Sequence, residues 1–562
     1  MMVGGDVLVA GSAEYEAAYR SQIARFDGVR PHAVVRCRVP EDVAQALAYG
    51  QDEGLHIALR SGGHCFAGRS STTGIVVDMS GMDDVSLSDD TVSVGAGARL
   101  ADVYDALSAH DRTIAAGCGP SVGIAGLTLG GGLGILGRSH GLTADQLVAA
   151  RAVLADGRIV DCDRQRHADL FWALRGAGGG QFAAVTQLVL RTLPAPRATG
   201  FHLVWPSTVA AAVVGAWQAW APDASDAVAA SLVVRAPTAG EPFVTVFGAV
   251  LDEEPAARAA LDEFVADVGT APTSANYAPG PYREIKRYLA EYDASSGERL
   301  PVAREPGHSY SKSEFFRREL PADAIVELLS QFVEGRQPRE ARVLDFTPWA
   351  GAYNRVPGHA TAFAHRAERF LLKQEVIVDA AASGAERQAA PAWLSRSWAL
   401  VHPWGSGGAY TNFPDPELED WDRAYHGANL DRLRRVKAPT TPRTCSGSIN
   451  RFSPRSAADA LMRPARYHDA RTTPSLLPTL KRRHIAGRTA RATSARHGAR
   501  GDRDDSPRAW VHTRIVHLIC ASPRYLNCRG RKGPHGHALS QAQLCRRSSS
   551  VSLTPPTYPR TG

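Results

Sequence analysis

Short apolar runs alternate with amphipathic stretches through roughly residues 30–195 of the chain. The stretch "EDVAQALAYGQDEG" (41–54) repeats its apolar positions at helical spacing and predicts a helix. "LHIALRSGG" predicts a strand that runs into a glycine turn, and "GIVVDM" (74–79), apolar and β-branched, predicts a buried strand. "TVSVGAGA" (91–98) reads as a strand and "RLADVYDALSAHD" (99–111) as a helix. "QLVAARAVLADGRIVDC" (146–162) reads as two strands joined at Asp156-Gly157, a pair whose backbone freedom suits a tight hairpin. From about 196 to 410 the pattern changes. Longer strand-like runs ("SLVVRA", "FVTVFGAVL", "RFLLKQEVIV") are separated by helical ones ("DEEPAARAALDEFVADVG", "ADAIVELLSQFVEG"), which predicts a mainly antiparallel sheet in a second domain. "DWDRAYHGANLDRLRRVK" (420–437) predicts one final helix.

Three glycine-rich loops interrupt this pattern. The first is "RSGGHCFAGRSS", where Gly62 and Gly63 precede His64 and expose backbone N–H groups ahead of a strand. The second, "AAGCGPSVGIAGLTLGGGLGILGRSHGLTADQL" (115–147), carries Gly130-Gly131-Gly132-Leu133-Gly134, a stretch that a pyrophosphate could approach closely. A nicotinamide-binding Rossmann turn would need a long helix directly after the glycines, and none is legible here. The third is "DLFWALRGAGGGQFAAVTQLVLRTLP" (169–194), with Gly176 to Gly180 leading into an apolar strand.

Composition changes the picture mainly at the end of the chain. Residues 439–562 hold 23 Lys and Arg against 5 Asp and Glu, about +18, whereas residues 1–438 carry about −11. The overall +7 therefore averages two different materials. The eight cysteines have no metal-type spacing, so neither a metal site nor a disulfide framework is expected. The first residues do not read as a secretory signal, and no run approaches the ~20 apolar residues of a membrane helix. A cytoplasmic protein with free thiols, and without a membrane or nucleic-acid partner, is the expectation.

In this order the three loops, followed by "YTNFPD", resemble the berberine-bridge-enzyme-like flavoproteins of the vanillyl-alcohol-oxidase, PCMH-type FAD-binding fold. The resemblance spans roughly residues 15–437. It implies an α+β protein with a two-part FAD-binding domain at 15–195, a substrate-binding domain with a mainly antiparallel sheet at 196–410, and a segment at 411–438 that returns to the first domain. It also answers why a histidine follows the two glycines, because the family bonds this histidine to the 8α carbon of the flavin. His64 is then the attachment residue, and Cys118 matches a second attachment, to flavin carbon 6. The usual Cys-Pro-x-Val-Gly is here Cys118-Gly119-Pro120-Ser121-Val122-Gly123, one residue longer, and a buried thiol is the alternative reading of Cys118. The cofactor-binding set implied is Arg60, Ser61, Gly62, Gly63, His64, Cys118, Val122, Gly123, Gly126, Leu127, Gly130, Gly131, Gly132, Gly134, Gly141, Leu142, Asp145, Val185 and Asn412.

The implied chemistry is hydride transfer from a substrate C–H to the flavin, with dioxygen as electron acceptor and hydrogen peroxide as product. Valine at position 122 is associated in the family with oxidases. A protein base must take the substrate proton. The family motif Tyr-x-Asn-Tyr places a phenol for this, but here it reads Tyr410-Thr411-Asn412-Phe413, and Phe413 has no hydroxyl. Tyr410, Tyr353 and Gln374 are the catalytic candidates, with Glu375 and Lys312 as further polar ones; strand alternation allows only one of Gln374 and Glu375 to face a pocket. The substrate expected is a small alcohol, sugar or secondary metabolite. The alternatives are a flavoprotein that holds FAD but turns over poorly, and a nucleic-acid-associated protein supported only by the basic tail.

The tail has its own explanation. The family closes with a segment like "RYDPxNVFRxxQSI", whereas this chain reads "KAPTTPRTCSGSINRF". With codons chosen within degeneracy, reading from the last base of the Pro439 codon gives "YDPEDVFRFHQSI". The expectation is a frame shift near Ala438 and Pro439, with 439–562 an out-of-frame disordered tail whose composition cannot offset its ordering entropy. An intact frame through this point on genomic DNA would overturn it.

Overall fold

The computed structural model describes residues 4–291 and 307–440 of the 562. The tail read as out-of-frame lies, from residue 441 onward, outside the described residues.

Four strands, β1 (Asp6–Leu8), β2 (Ala33–Arg36), β3 (Ile57–Arg60) and β4 (Ile75–Asp78), form a sheet in the order β1-β2-β4-β3. β2, β3 and β4 run parallel and β1 is antiparallel at the edge. β4 is buried at all four positions, as a continuous apolar run inside a parallel sheet should be. The helix Pro40–Asp52 crosses between β2 and β3. Pro40 sits in its first turn, and the Asp42 carboxylate accepts from the Val39 N–H at 3.2 Å.

A second sheet is wholly antiparallel, in the order β5-β6-β10-β8-β9. Its strands are β5 (Val85–Ser88), β6 (Thr91–Gly95), β8 (Leu147–Val153), β9 (Ile159–Cys162) and β10 (Ala184–Arg191). The Asp156-Gly157 turn joins β8 to β9 as the sequence predicts, with Gly157 at φ +84° and its N–H donating to the Leu154 carbonyl at 3.0 Å. A short pair, β7 (Arg112–Thr113) with β11 (Leu193–Pro194), lies beside it.

The third sheet has seven antiparallel strands in the order β15-β12-β14-β13-β17-β18-β16. These are β12 (Arg197–Pro206), β13 (Val228–Ala236), β14 (Phe243–Val250), β15 (Ser274–Pro281), β16 (His308–Phe316), β17 (Glu340–Pro348) and β18 (Phe370–Val378). One face packs on the helices Ala210–Trp220, Glu254–Val268, Ala322–Val333 and Gly384–Val401 around Trp205, Trp217, Phe264, Phe346 and Phe370. The other face contributes Val233, Phe247, Ala249 and Val343 to the core that the first two sheets share. Strand alternation thus gives this sheet one helix-covered face and one face turned to the first two sheets.

The final helix expected over 420–437 is broken. Trp421–His426 and Leu430–Thr440 are separate helices, because Gly427 adopts φ +46° and ends the first. Amphipathic spacing continues across this break, so the pattern alone joined the two.

Candidate active site

The loop after β3 is held open by its own side chains. The Arg60 guanidinium donates to the carbonyls of Ala18 at 2.6 Å, Tyr19 at 2.9 Å and Ser70 at 2.9 Å, and Ser61 Oγ donates to the Ala96 carbonyl at 2.6 Å. Arg60 is therefore spent on backbone carbonyls and fixes the loop. Gly62 then lies against Gly123 backbone to backbone. A Cβ on Gly62 would stand 2.2 Å from the Gly123 nitrogen, and one on Gly123 would stand 2.0 Å from Ser61 Oγ. The first and second glycine loops meet here, which is why both need bare backbone.

These loops wall a cavity of about 310 Å³. Its lining includes Arg60, Ser61, Gly62, Gly63, His64, Cys118, Val122, Gly123, Gly126, Leu127, Gly134, Val185 and Asn412, together with Tyr353 and Tyr410. The third glycine loop adds Gly178, Gly179 and Gly180, and the large sheet adds Ser231, Phe247, Thr347 and Pro348. Among the described residues, the N–H groups of Gly62, Gly63 and His64 donate to no protein acceptor. A concave wall of uncommitted backbone donors and glycines fits the diphosphate of a dinucleotide.

His64 Nε2 lies 3.1 Å from Ser121 Oγ, across the junction of the two loops. Burial is the largest influence on this imidazole and lowers its pKa to about 4, so the ring is neutral at pH 7. Cys118 lines the same cavity despite the extra residue in its motif. The added length is taken up in a turn, where the Val122 N–H donates to the Gly119 carbonyl at 3.2 Å.

Six residues expected at the cofactor do not line the cavity. Gly130, Gly131, Gly132, Gly141, Leu142 and Asp145 stand behind the wall. A Cβ on Gly130 would meet Asn412 Oδ1 at 2.0 Å, and the Gly132 N–H donates to Tyr410 Oη at 2.9 Å. Leu142 packs with Trp349, Tyr353, Phe363 and Tyr410. Asp145 accepts from Leu142 N at 2.9 Å and forms a buried ion pair with Arg366 at 2.6 Å. Gly131 and Gly132 admit the side chains of Phe363 and Tyr410, and of this run only Leu133 and Gly134 border the cavity.

The phenols are bound to this backbone. Tyr410 Oη accepts from Gly132 N–H and from Asn412 Nδ2 at 3.2 Å, and burial pushes its pKa up to about 12. Tyr353 Oη donates to the Gly134 carbonyl at 3.1 Å, and burial raises its pKa as well. Gln374 does not line the cavity. Its Nε2 donates to the Ser397 carbonyl of the covering helix at 3.3 Å. Phe370, Leu372, Val376 and Val378 share that helix-packed core, so the even-numbered positions of β18 face away from the cavity. Lys312 is paired with Asp415 at 2.7 Å and Glu417 at 3.4 Å.

The odd-numbered face carries charges that the sequence reading did not single out as a group. Lys373 Nζ lies 3.0 Å from Glu375 and 3.9 Å from Asp345 Oδ2. It also lies 5.3 Å and 5.2 Å from the ring centres of Phe66 and Phe413, both of which line the cavity. Asp345 is directly paired with Lys373 across β17 and β18, and two residues from cavity-lining Thr347 on the same face. Its Oδ1 has no hydrogen-bond partner, and burial pushes its carboxyl up to about 6 against the pull of Lys373. The available signal was parity: in "VLDFT", Leu344 and Phe346 both enter the helix-side core, which leaves Asp345 on the other face.

Known proteins resemble this chain in sequence and in fold. A family model described as FAD binding domain matches residues 31–163, and one described as berberine and berberine like matches residues 409–443. The chain is 30% identical over 443 residues to the uncharacterized FAD-linked oxidoreductase YvdP of Bacillus subtilis (strain 168), covering 78% of this chain and 95% of that protein. It is 27% identical over 447 residues to a chitooligosaccharide oxidase of Gibberella zeae, covering 74% and 87%. Among solved structures, Physcomitrella patens BBE-like 1 superposes with a TM-score of 0.70 at 25% identity, covering 79% of this chain and 95% of that one. The glucooligosaccharide oxidase of Acremonium strictum, whose FAD is described as 6-S-cysteinyl, 8α-N1-histidyl, superposes with a TM-score of 0.69 at 24% identity, covering 78% and 95%. The chain thus belongs to the berberine-bridge-enzyme-like FAD-linked oxidoreductases.

Proposed function

We propose that the protein is an FAD-dependent oxidase that removes hydride from a hydroxyl-bearing carbon of a small molecule, a sugar or related alcohol, and passes the electrons to dioxygen to give hydrogen peroxide. When bound, FAD supplies the hydride acceptor. The observation that carries the reading is that neutral His64 and Cys118 border one cavity whose backbone suits a dinucleotide. The loop residues Gly62, Gly63, Gly123 and Gly178 to Gly180 would hold the cofactor. A neutral imidazole has a lone pair for bonding to the flavin, and the Ser121 contact to Nε2 leaves Nδ1 for that bond. Cys118 is the second attachment point in this reading. Val122, in the cavity wall, is the residue beside which dioxygen would approach.

The proton acceptor is reassigned to Asp345. A base works best with a pKa near the operating pH, and about 6 meets this whereas the Tyr410 phenol at about 12 does not. Asp345, Lys373 and Glu375 are not in the lining but form a charged cluster next to its residues Phe66 and Phe413; this favours a substrate with several hydroxyls, and the oligosaccharide oxidases among the relatives point the same way. Phe413 favours a second reading, a flavoprotein with little turnover. Two measurements decide. Intact mass of the denatured protein is expected to exceed the polypeptide by one FAD. Peroxide release is then followed on a panel of mono- and oligosaccharides and simple alcohols. Mass without added FAD overturns covalent attachment, and full flavin loading without peroxide from any panel member favours the second reading.

A further inference from the structure

Lys286 is buried without an acid partner among the described residues. It lies on the helix Tyr282–Glu291, only 1% exposed, and its ammonium points into the second glycine loop. Nζ donates to the Ala116 carbonyl at 2.6 Å and the Gly117 carbonyl at 3.1 Å, and lies 3.8 Å from Cys118 Sγ. Two carbonyls and one sulfur account for its three N–H bonds. The rings of Tyr104 and Tyr282 cover it at 4.7 Å and 5.2 Å. No carboxylate stands within ion-pair reach of Lys286 among the described residues. The nearby Arg283, on the same helix, is paired with Asp105 at 2.6 Å. A buried ammonium lacking a counter-ion is unfavourable, and burial draws the Lys286 pKa down. The group it can be charge-matched with is a thiolate on Cys118.

We propose that Lys286 is a positioning residue for the second flavin attachment: it holds Cys118 as thiolate and aims the sulfur into the cavity so that it can bond to flavin carbon 6. This rests on the reading of Cys118 as an attachment point. In the step, one S–C bond forms while one S–H and one C–H bond break. The two electrons released reduce the isoalloxazine, from which dioxygen takes them, with two protons, as hydrogen peroxide. The thiolate is the nucleophilic form of cysteine, and a neighbouring cation raises its share. Among the described residues, the groups facing the sulfur from the elements packed around it are Lys286, Tyr104 and Tyr282, with Arg283 acting on Lys286 and Tyr104.

The test is a peptide map of the digested flavoprotein. In the wild type one flavin is expected to join the His64 and Cys118 peptides. In Lys286→Met at pH 7 the flavin is expected on the His64 peptide alone, or bridged at least about tenfold more slowly, one pKa unit being tenfold in thiolate. Bridging should recover in air at pH 9, and Lys286→Arg should bridge at pH 7. Flavin on His64 reports that the variant is folded and loaded. Equal bridging rates in Lys286→Met and wild type at pH 7 overturn the proposal. So does wild-type flavin on His64 alone, although His64 attachment then stands. Wild-type protein with no covalent flavin overturns both attachments at once. If Lys286→Met does not load, apo wild type is reconstituted with FAD from pH 6 to 9. A pH-independent bridging rate supports Lys286. A rate rising about tenfold per unit, as for an ordinary thiol, overturns it.

Discussion

At the scale of single residues, the reassigned base gives the sharpest expectation. Asp345→Asn should slow flavin reduction by substrate on the order of 10²–10⁴-fold, the usual contribution of a positioned base. FAD content should not change, since the groups acting on Asp345 are Lys373, Glu375 and Arg235 and neither attachment residue is among them. Stopped-flow absorbance of the flavin separates the two effects. The wild type should lose activity as pH falls through about 6, because protonation removes the base. A variant that reduces its flavin at the wild-type rate would remove Asp345 from the mechanism. That His64 and Cys118 border one cavity was legible because their loops carry long ordered motifs. Asp345 was not, because a carboxylate in an apolar strand says which residues it opposes, not which face borders a cavity. The face of Gln374 is hidden for the same reason: it sits among apolar neighbours on the helix-packed side of its strand.

At the scale of elements, the second glycine loop is fastened to the C-terminal half by Asp145 and Arg366. The pair is buried, and Arg366 also donates to the Tyr353 carbonyl at 3.0 Å and to Thr361 Oγ1 at 3.1 Å. Removing one partner of such a pair leaves an uncompensated charge, so Asp145→Asn should destabilise by about 3–5 kcal/mol. Replacing both, as Asp145→Leu with Arg366→Met, should be less damaging than the single change. Urea unfolding of the three variants checks this, and additive losses would mean the two residues act separately. Strands and hairpins at this scale followed the sequence pattern closely. The helix over 420–437 did not, because a single glycine in the left-handed region interrupts a periodicity that continues on both sides.

For the molecule as a whole, three further buried histidines make acid a destabilising condition. Burial lowers the pKa of His202 to about 3, His365 to about 4 and His426 to about 3. An unfolded histidine titrates near 6.5, so between there and about 4 the unfolded chain binds protons the folded one refuses. Each such group contributes stability that is present above about pH 6.5 and is lost at about 1.4 kcal/mol per pH unit on the way down. The carboxyls of Asp345, Glu314 and Glu368 are raised by burial and act in the opposite sense, offsetting part of this. The melting temperature should fall between pH 7 and 5, and His202→Gln should make that fall shallower. An unchanged slope would mean that His202 does not contribute to it. The placement of Tyr410 and Asn412 has a different kind of consequence, for biosynthesis. The wall of the cavity runs from Leu59 to Pro414, and the Gly130–Gly132 stretch is braced by side chains encoded some 280 residues later. The cofactor chamber therefore cannot close until Tyr410 and Asn412 have left the ribosome. Flavin capture must wait for that point, and a nascent chain stalled before it would hold an open pocket.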